Sequence, residues 1–416
     1  MGMSSRRVIG PSAWIVGAVG LLIGVVAVWL VTRGNPGNMG LCVACFTRDS
    51  MSVFGGSAAK MASFGYIRPE IWGLVLGAGL SAAVYKEWRA RGGSAWLMRF
   101  VLGFIFIVAA LVFLGCTVRA WLRLGAGDLN ALVGVAGLFT GIAVGTWFLK
   151  RGFNLGRAKL VDGKAKAAGL LGAVVAVALL AVVIAYAAGV VFPSLTFVPK
   201  GAKSTAEGAV FNSEEVFKPA GASAQDGQIV AQDGAVVSDA ESVGAAKGVP
   251  GGARAPLAVS LAAGALIGVA AQRSRFCTIG GIRDAILVRR WDLLFGVGGL
   301  LVGTFAASVA LGTFKLGFQG QPAAHSDFAA NFLAMTVAGL AAVQLGGCPL
   351  RQMVMSAEGD IDAFAAVLGM MAGAFFAHYF NIAATATGVT TNAWVALGVM
   401  GAVVLAIGIR KSRATA

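Results

Sequence analysis

Charge is what this 416-residue sequence most lacks. Only 12% of its residues are Asp, Glu, Lys or Arg, about half the share of an average soluble domain, too few to solvate a water-facing surface. Histidine is almost missing, with two residues, and cysteine is scarce, with five. So little His and Cys leaves hardly any material for metal chemistry. No Gly-rich phosphate loop, no Ser-His-Asp order and no carboxylate pair suited to acid–base work is present. We therefore expect no enzyme, no cofactor and no metal site. The same shortages argue against a water-soluble chain, a disordered chain and a nucleic-acid binder.

What is abundant points to lipid. Hydrophobic residues make up 58% of the chain, and there are 60 glycines, as suits closely packed membrane helices. A span needs roughly 20 apolar residues, and ten segments qualify: about 12–32, 70–86, 97–115, 128–149, 168–192, 255–272, 291–313, 330–347, 360–380 and 392–409. The expected fold is all-α, a polytopic membrane protein of about ten spanning helices. No cleavable signal is expected, because the apolar run after Arg6 and Arg7 is itself long enough to span. Residues 194–254 are rich in Ala, Gly, Ser, Gln and Asp and read as a polar flexible linker. It separates a first membrane repeat (1–193) from a second (255–416).

The repeat rests on recurring strings. Gly115-Cys116-x-x-Arg119 is followed by Gly127-Asp128-x-x-Ala131, and the same order returns in Gly347-Cys348-x-x-Arg351 and Gly359-Asp360-x-x-Ala363. Cys42 precedes Arg48-Asp49 as Cys277 precedes Arg283-Asp284. After each of these four cysteines comes a piece of about a dozen residues, too short to span, which predicts four re-entrant Cys-bearing helices. Five spans per half, an odd number, make the second half inverted. With the N-terminus inside, the loops 86–96, 150–167, 273–290 and 348–359 and the C-terminus fall on the cytoplasmic side and hold most of the loop arginines and lysines, as the positive-inside rule requires. The region 33–69, with Arg33, Arg48, Lys60 and Arg68, fits this topology poorly.

Cysteines recurring beside arginines are the chemical signal. A thiol is polarisable and its acidity responds to a nearby cation or helix N-terminus, while guanidinium groups offset the desolvation of an oxyanion. The candidate pathway residues are Cys42, Cys45, Cys116, Cys277 and Cys348, with Arg48, Arg119, Arg283 and Arg351. Either Cys42 or Cys45 can be the repeat's equivalent, since Cys45-x-x-Arg48 shares the three-residue spacing, which puts thiol and guanidinium one helical turn apart. Competing readings stand beside this one: Arg48-Asp49 and Arg283-Asp284 as plain ion pairs, Asp128 and Asp360 as N-caps, and His325 and His378 as surface-loop or helix-face residues. Cys42-Val43-Ala44-Cys45 also suits a redox dithiol.

The strings Gly34-Asn35-Pro36-Gly37-Asn38-Met39-Gly40-Leu41-Cys42, Arg68-Pro69-Glu70-Ile71, Ser274-Arg275-Phe276-Cys277-Thr278-Ile279-Gly280-Gly281-Ile282-Arg283-Asp284 and Leu345-Gly346-Gly347-Cys348-Pro349-Leu350-Arg351-Gln352 resemble the YeeE/YedE family of sulfur-transport membrane proteins, most closely its YedE branch, associated with selenium transport. The resemblance covers nearly all of the chain except the linker. It implies an hourglass-like helical protein whose central cysteines pass a thiosulfate-type anion, Cys116, Cys277 and Cys348 fitting that pattern best. It also implies a cytosolic partner of the TusA sulfur-carrier type. The expected activity is uptake of a small selenium- or sulfur-containing anion across the inner (cytoplasmic) membrane, both termini cytoplasmic. The alternatives are a membrane thiol/disulfide oxidoreductase using Cys42 and Cys45, and a membrane scaffold for a cytosolic sulfur or selenium carrier.

Overall fold

Apolar sequence in lipid must satisfy its backbone polar groups within the segment, and a helix does so. The computed structural model describes residues 11–54, 65–156, 158–187 and 254–413, with short strand segments between 204 and 239. The chain is mostly helical: α1 (Pro11–Thr32), α2 (Val43–Ser52), α3 (Pro69–Val84), α4 (Trp96–Val112), α5 (Thr117–Gly125), α6 (Asn130–Lys150), α7 (Leu171–Ala187), α8 (Leu257–Ser274), α9 (Thr278–Val288), α10 (Asp292–Ala310), α11 (Phe328–Leu345), α12 (Pro349–Ala357), α13 (Ile361–Tyr379) and α14 (Thr391–Arg413). Among the described residues nine stretches are long and apolar enough to cross a membrane. The protein is an all-α multi-pass membrane protein.

One expected span falls short. The segment at 70–86 is α3, of 16 residues, about 24 Å long at 1.5 Å per residue and less than the roughly 30 Å hydrocarbon core. Pro69 opens it in the first turn, where a missing N–H costs nothing, and the left-handed Lys86 (φ 56°) stops its continuation. The expected linker at 194–254, residues 1–10 with Arg6 and Arg7, and Lys60 lie largely or wholly outside the described residues.

Helix packing is reciprocal between the halves. α1 packs along α10 and α8 along α3; α6 packs along α11 and α13 along α4. The short helices follow the same rule, α5 against α10 and α12 against α3, α2 against α13 and α9 against α6. The glycines that permit these approaches also correspond. A Cβ on Gly20 would lie 2.0 Å from the Gly296 carbonyl oxygen, and one on Gly264 would lie 2.2 Å from that of Glu70. Gly137 and Gly369 meet the carbonyls of Phe332 and Phe100 at 2.1 and 2.0 Å in the same way. Such contact between backbones is the packing mode small residues allow in membranes.

α4 and α11 lie at the centre, the stretches that begin at Trp96 and Phe328 being 89% and 67% buried, while α14 is 28% buried and turns Val395 and Val399 outward. Loop contacts define two faces. The loop after α3 meets the start of α13 through Arg89, Arg91 and Asp360, and it pairs Arg91–Gly92 with Lys159–Leu160. On the other face the loop after α10 meets Ala126–Leu129 through Lys315 and Gly317.

Candidate functional site

Every one of the four short helices starts at a cysteine. Cys42, Cys116, Cys277 and Cys348 are the N-caps of α2, α5, α9 and α12, all in extended backbone conformation. The Cys42 thiol accepts from the Cys45 amide at 3.3 Å and the Cys277 thiol from the Gly280 amide at 3.2 Å, satisfying one orphan amide each. Cys42, not Cys45, therefore holds the place equivalent to Cys277. Three of the breaks ahead of these helices are made the same way, by a left-handed residue two positions before the cysteine: Leu114 (φ 59°), Arg275 (φ 57°) and Gly346 (φ 97°). Such a residue ends a helix by turning its backbone out of the αR region.

The five thiols form two buried groups. Cys42 faces both Cys45 and Cys116, and Cys277 faces Cys348, whose amide donates to the Cys277 Sγ at 3.3 Å. The groups are joined one residue further on: Thr117, next to Cys116, and Thr278, next to Cys277, share a hydroxyl–hydroxyl hydrogen bond of 2.9 Å. All five cysteines are free. Four helix N-termini, each carrying about half a positive charge, thus begin among the thiols. Among the described residues no three His, Cys, Asp or Glu side chains gather to hold a metal ion.

Three arginines, Arg99, Arg119 and Arg123, bind backbone carbonyls freed by the breaks. Residues 112, 113 and 114 end the broken helix α4, and each carbonyl is capped: Val112 by His325 Nε2 at 2.8 Å, Phe113 by Arg123 Nη1 at 2.7 Å, and Leu114 by Arg119 Nη1. At the end of α11, Arg99 donates to the Leu345 carbonyl at 3.1 Å. Cations belong at helix C-termini, where the dipole is negative. Arg119 also donates to the carbonyls of Asn38 (2.8 Å) and Ala323 (3.0 Å) and to the Cys45 Sγ at 3.2 Å. It thus meets a thiol, though on a neighbouring helix rather than the one its own spacing suggested.

Arg48 and Arg68 both bind the buried Asp49, at 2.6 and 2.9 Å, so two of the four charges that fit the topology poorly in 33–69 are held by an internal carboxylate instead of marking a side. Arg48 still acts electrostatically on Cys45. Arg283 pairs with Asp284 at 2.8 Å while its charge acts on Cys277, and Arg351 turns to Glu358 at 3.2 Å.

Two expectations change. Asp360 is an N-cap, accepting from the Ala363 amide at 2.9 Å, but Asp128 forms a fully buried ion pair with Arg123 at 2.6 Å besides accepting from the Asn130 amide. His325 and His378 are buried, not surface residues. Burial lowers the His325 pKa, and the neutral ring is satisfied on both sides, Nε2–H donating to Val112 and Nδ1 accepting from the Asp327 amide at 3.3 Å.

Sequence reasoning did not single out Arg123, Thr117, Thr278 or Glu358. Arg119-x-x-x-Arg123 at one-turn spacing, beside a cysteine in an apolar chain, was the available signal. It also had no way to find a half-open cavity of about 240 Å³ lined by α1, α5, α10 and the loops at Asn38 and Pro322. The buried Ser308 hydroxyl, without a hydrogen-bond partner, lines it. In comparisons with known proteins, the chain matches no family model and no curated relative.

Proposed function

We propose that the protein is a transporter of the inner membrane that takes up a small selenium- or sulfur-containing, thiosulfate-like anion along a passage lined by its cysteines. The observation that carries this reading is the gathering of Cys42, Cys45, Cys116, Cys277 and Cys348 at the N-termini of four short helices, in two groups linked through Thr117 and Thr278. Inverted halves with broken helices whose N-termini point at an anion near the midplane are a recurring transporter plan. The reciprocal packing of α1–α10 with α8–α3 and of α6–α11 with α13–α4 supports a duplicated, inverted unit with four re-entrant helices. The grouping of loops 86–96, 150–167 and 348–359 on one face, through Arg91, Leu160 and Asp360, supports the assigned sides.

In this mechanism the amide dipoles draw the anion toward the thiols, where S–H groups donate weak hydrogen bonds to it in turn. It passes from the Cys42–Cys45–Cys116 group, across Thr117 and Thr278, to Cys277 and Cys348. No covalent bond to the substrate is made or broken. Arg119, in contact with Cys45, is the guanidinium best placed to meet the anion, whereas Arg48, Arg283 and Arg351 set the surrounding potential. The resemblance to the YeeE/YedE family suggests delivery to a cytosolic carrier of the TusA type. The experiment is uptake of labelled selenite and thiosulfate by cells lacking their own routes. Uptake should depend on the protein and fall in Cys277→Ser and Cys348→Ser; uptake at wild-type rates in both variants contradicts the mechanism.

A further inference from the structure

The two halves build the same scaffold but furnish it differently at its two ends. Aligning the glycine contacts Gly20 with Gly264 and Gly73 with Gly299, and the strings Gly127-Asp128 with Gly359-Asp360, sets four wall residues of the cavity against partners on the opposite face. Val28 corresponds to Gln272, Val31 to Arg275, Thr313 to Glu87 and Ala126 to Glu358. The first member of each pair lines the cavity. The second members are bonded to one another: Gln272 Nε2 donates to Glu87 at 2.7 Å, Arg275 Nη2 to Glu87 at 2.8 Å, and Arg275 Nη1 to Glu358 at 2.8 Å. Arg91 and Arg351 also bind Glu358, at 3.3 and 3.2 Å.

We infer that these are the two mouths of one passage caught in opposite states: the cavity is an open vestibule for a small polarisable anion, and the Glu87–Gln272–Arg275–Glu358 cluster is a side-chain plug closing the other end. The inference rests on the proposed thiol passage and adds its access route and its gate.

One buried side chain, Arg119, separates the vestibule from the thiols. Asn38 lines the cavity and its carbonyl binds Arg119, which contacts Cys45; Gly40, also in the wall, lies two residues before Cys42. Leu122 and Ala126 place the α5 face that bears Arg119 along the cavity. The Ser308 hydroxyl in the wall is buried and unpartnered, and must turn toward the cavity to donate to an arriving anion. At the plug, Glu358 is buried beneath Arg91, Arg275 and Arg351, whereas Arg275 and Glu87 are 47% and 34% exposed. Half-exposed ion pairs are cheap to part, as a gate requires, while the buried hub keeps the arginines in register. α12 runs from Pro349, next to Cys348, to Ala357, just before Glu358, so the plug stands one short helix from the inner thiols.

The test is sided thiol modification in membrane vesicles of either orientation holding the full chain. Sulfonatoethyl methanethiosulfonate, a membrane-impermeant anion, is the probe, and each cysteine is read by peptide mass. From the cavity face Cys42, Cys45 and Cys116 should react, while from the plug face Cys277 and Cys348 should react about tenfold or more slowly. Glu358→Gln should raise the plug-face rate about tenfold. Glu87→Gln, at the exposed rim, should raise it less, and it keeps the test valid where Glu358→Gln misfolds. Ala126→Trp should slow reaction from the cavity face alone. A plug-face rate unmoved by either carboxamide in folded protein overturns the inference, as does a wild-type plug-face rate equal to the cavity-face rate. The labelling needs no substrate, so loss of the uptake reading with these outcomes intact would leave the gate standing.

Discussion

At the scale of single residues, the arginines of this protein bind its own carboxylates and helix-end carbonyls. Arg123 caps the Phe113 carbonyl, stacks 4.3 Å from the Phe113 ring and pairs with Asp128, all without exposure. Removing one member of a buried pair leaves an uncompensated charge, which costs about 3–5 kcal/mol. Asp128→Ala should therefore lower the thermal unfolding midpoint in detergent sharply. Arg290→Ala, whose partner bond to Asp292 comes from a side chain 72% exposed, should cost under about 1 kcal/mol. Equal losses would mean that burial does not set the value of these pairs. The sequence shows which arginines stand near cysteines but not where their guanidinium groups turn. Arg119 and Arg351 share one spacing, yet one reaches a thiol and the other a carboxylate, because Glu358 occupies the place where the first half has Ala126.

At the scale of elements, helix breaks and glycine contacts fix the architecture. A Cβ on Gly20 would sit 2.0 Å from a backbone oxygen of α10, whereas one on Gly298, in the same helix pair, would meet nothing within 4 Å. Gly20→Ala must push α1 from α10 and should cost about 1–3 kcal/mol, as overpacking does. Gly298→Ala should be neutral or gain about 0.5–1 kcal/mol from helix propensity. Chemical denaturation of the two variants in one detergent decides this, and equal stability would contradict the close approach. The spans were legible because an uninterrupted apolar run of about twenty residues matches the thickness of a bilayer and little else. The expected span at 70–86 overruns α3 by Tyr85 and Lys86, where the apolar run has ended and the backbone reverses at Lys86. The short helices were legible from their cysteines and length. Their common N-cap role was not, since cysteine is not among the usual caps. The burial of His325 was illegible because the carbonyl it caps lies over two hundred residues away in sequence.

At the scale of the whole molecule, one packing plan used twice leaves a cavity at one end and a salt-bridged cluster at the other. The recurring strings and the reciprocal packing of the halves agree; the difference between the ends depends on side chains that only the packing of α3 on α8 and α1 on α10 brings together. The cluster has a pH signature. A hydrogen bond from Gln272 and the charges of Arg275 and Arg273 hold the Glu87 pKa below its ordinary value. A lowered carboxylate keeps its interactions above its unfolded-state pKa and loses them as pH falls through the folded one. Plug-face thiol modification, corrected for reagent chemistry, should thus stay flat from about pH 8 to about pH 5 and rise only below the usual Glu range near 4.3. A rise centred near neutrality would point to another group.

The central claim is a soft-anion passage through the thiols, and purified protein in liposomes tests it most directly. Labelled thiosulfate and selenite should enter protein-containing vesicles faster than empty ones, and Cys277→Ser, in which serine preserves the N-cap bond, and Cys348→Ser, where no cap bond is lost, should cut that rate at least about tenfold while unfolding near the wild-type temperature. Entry no faster than in empty vesicles, or serine variants that transport like the wild type, would contradict it.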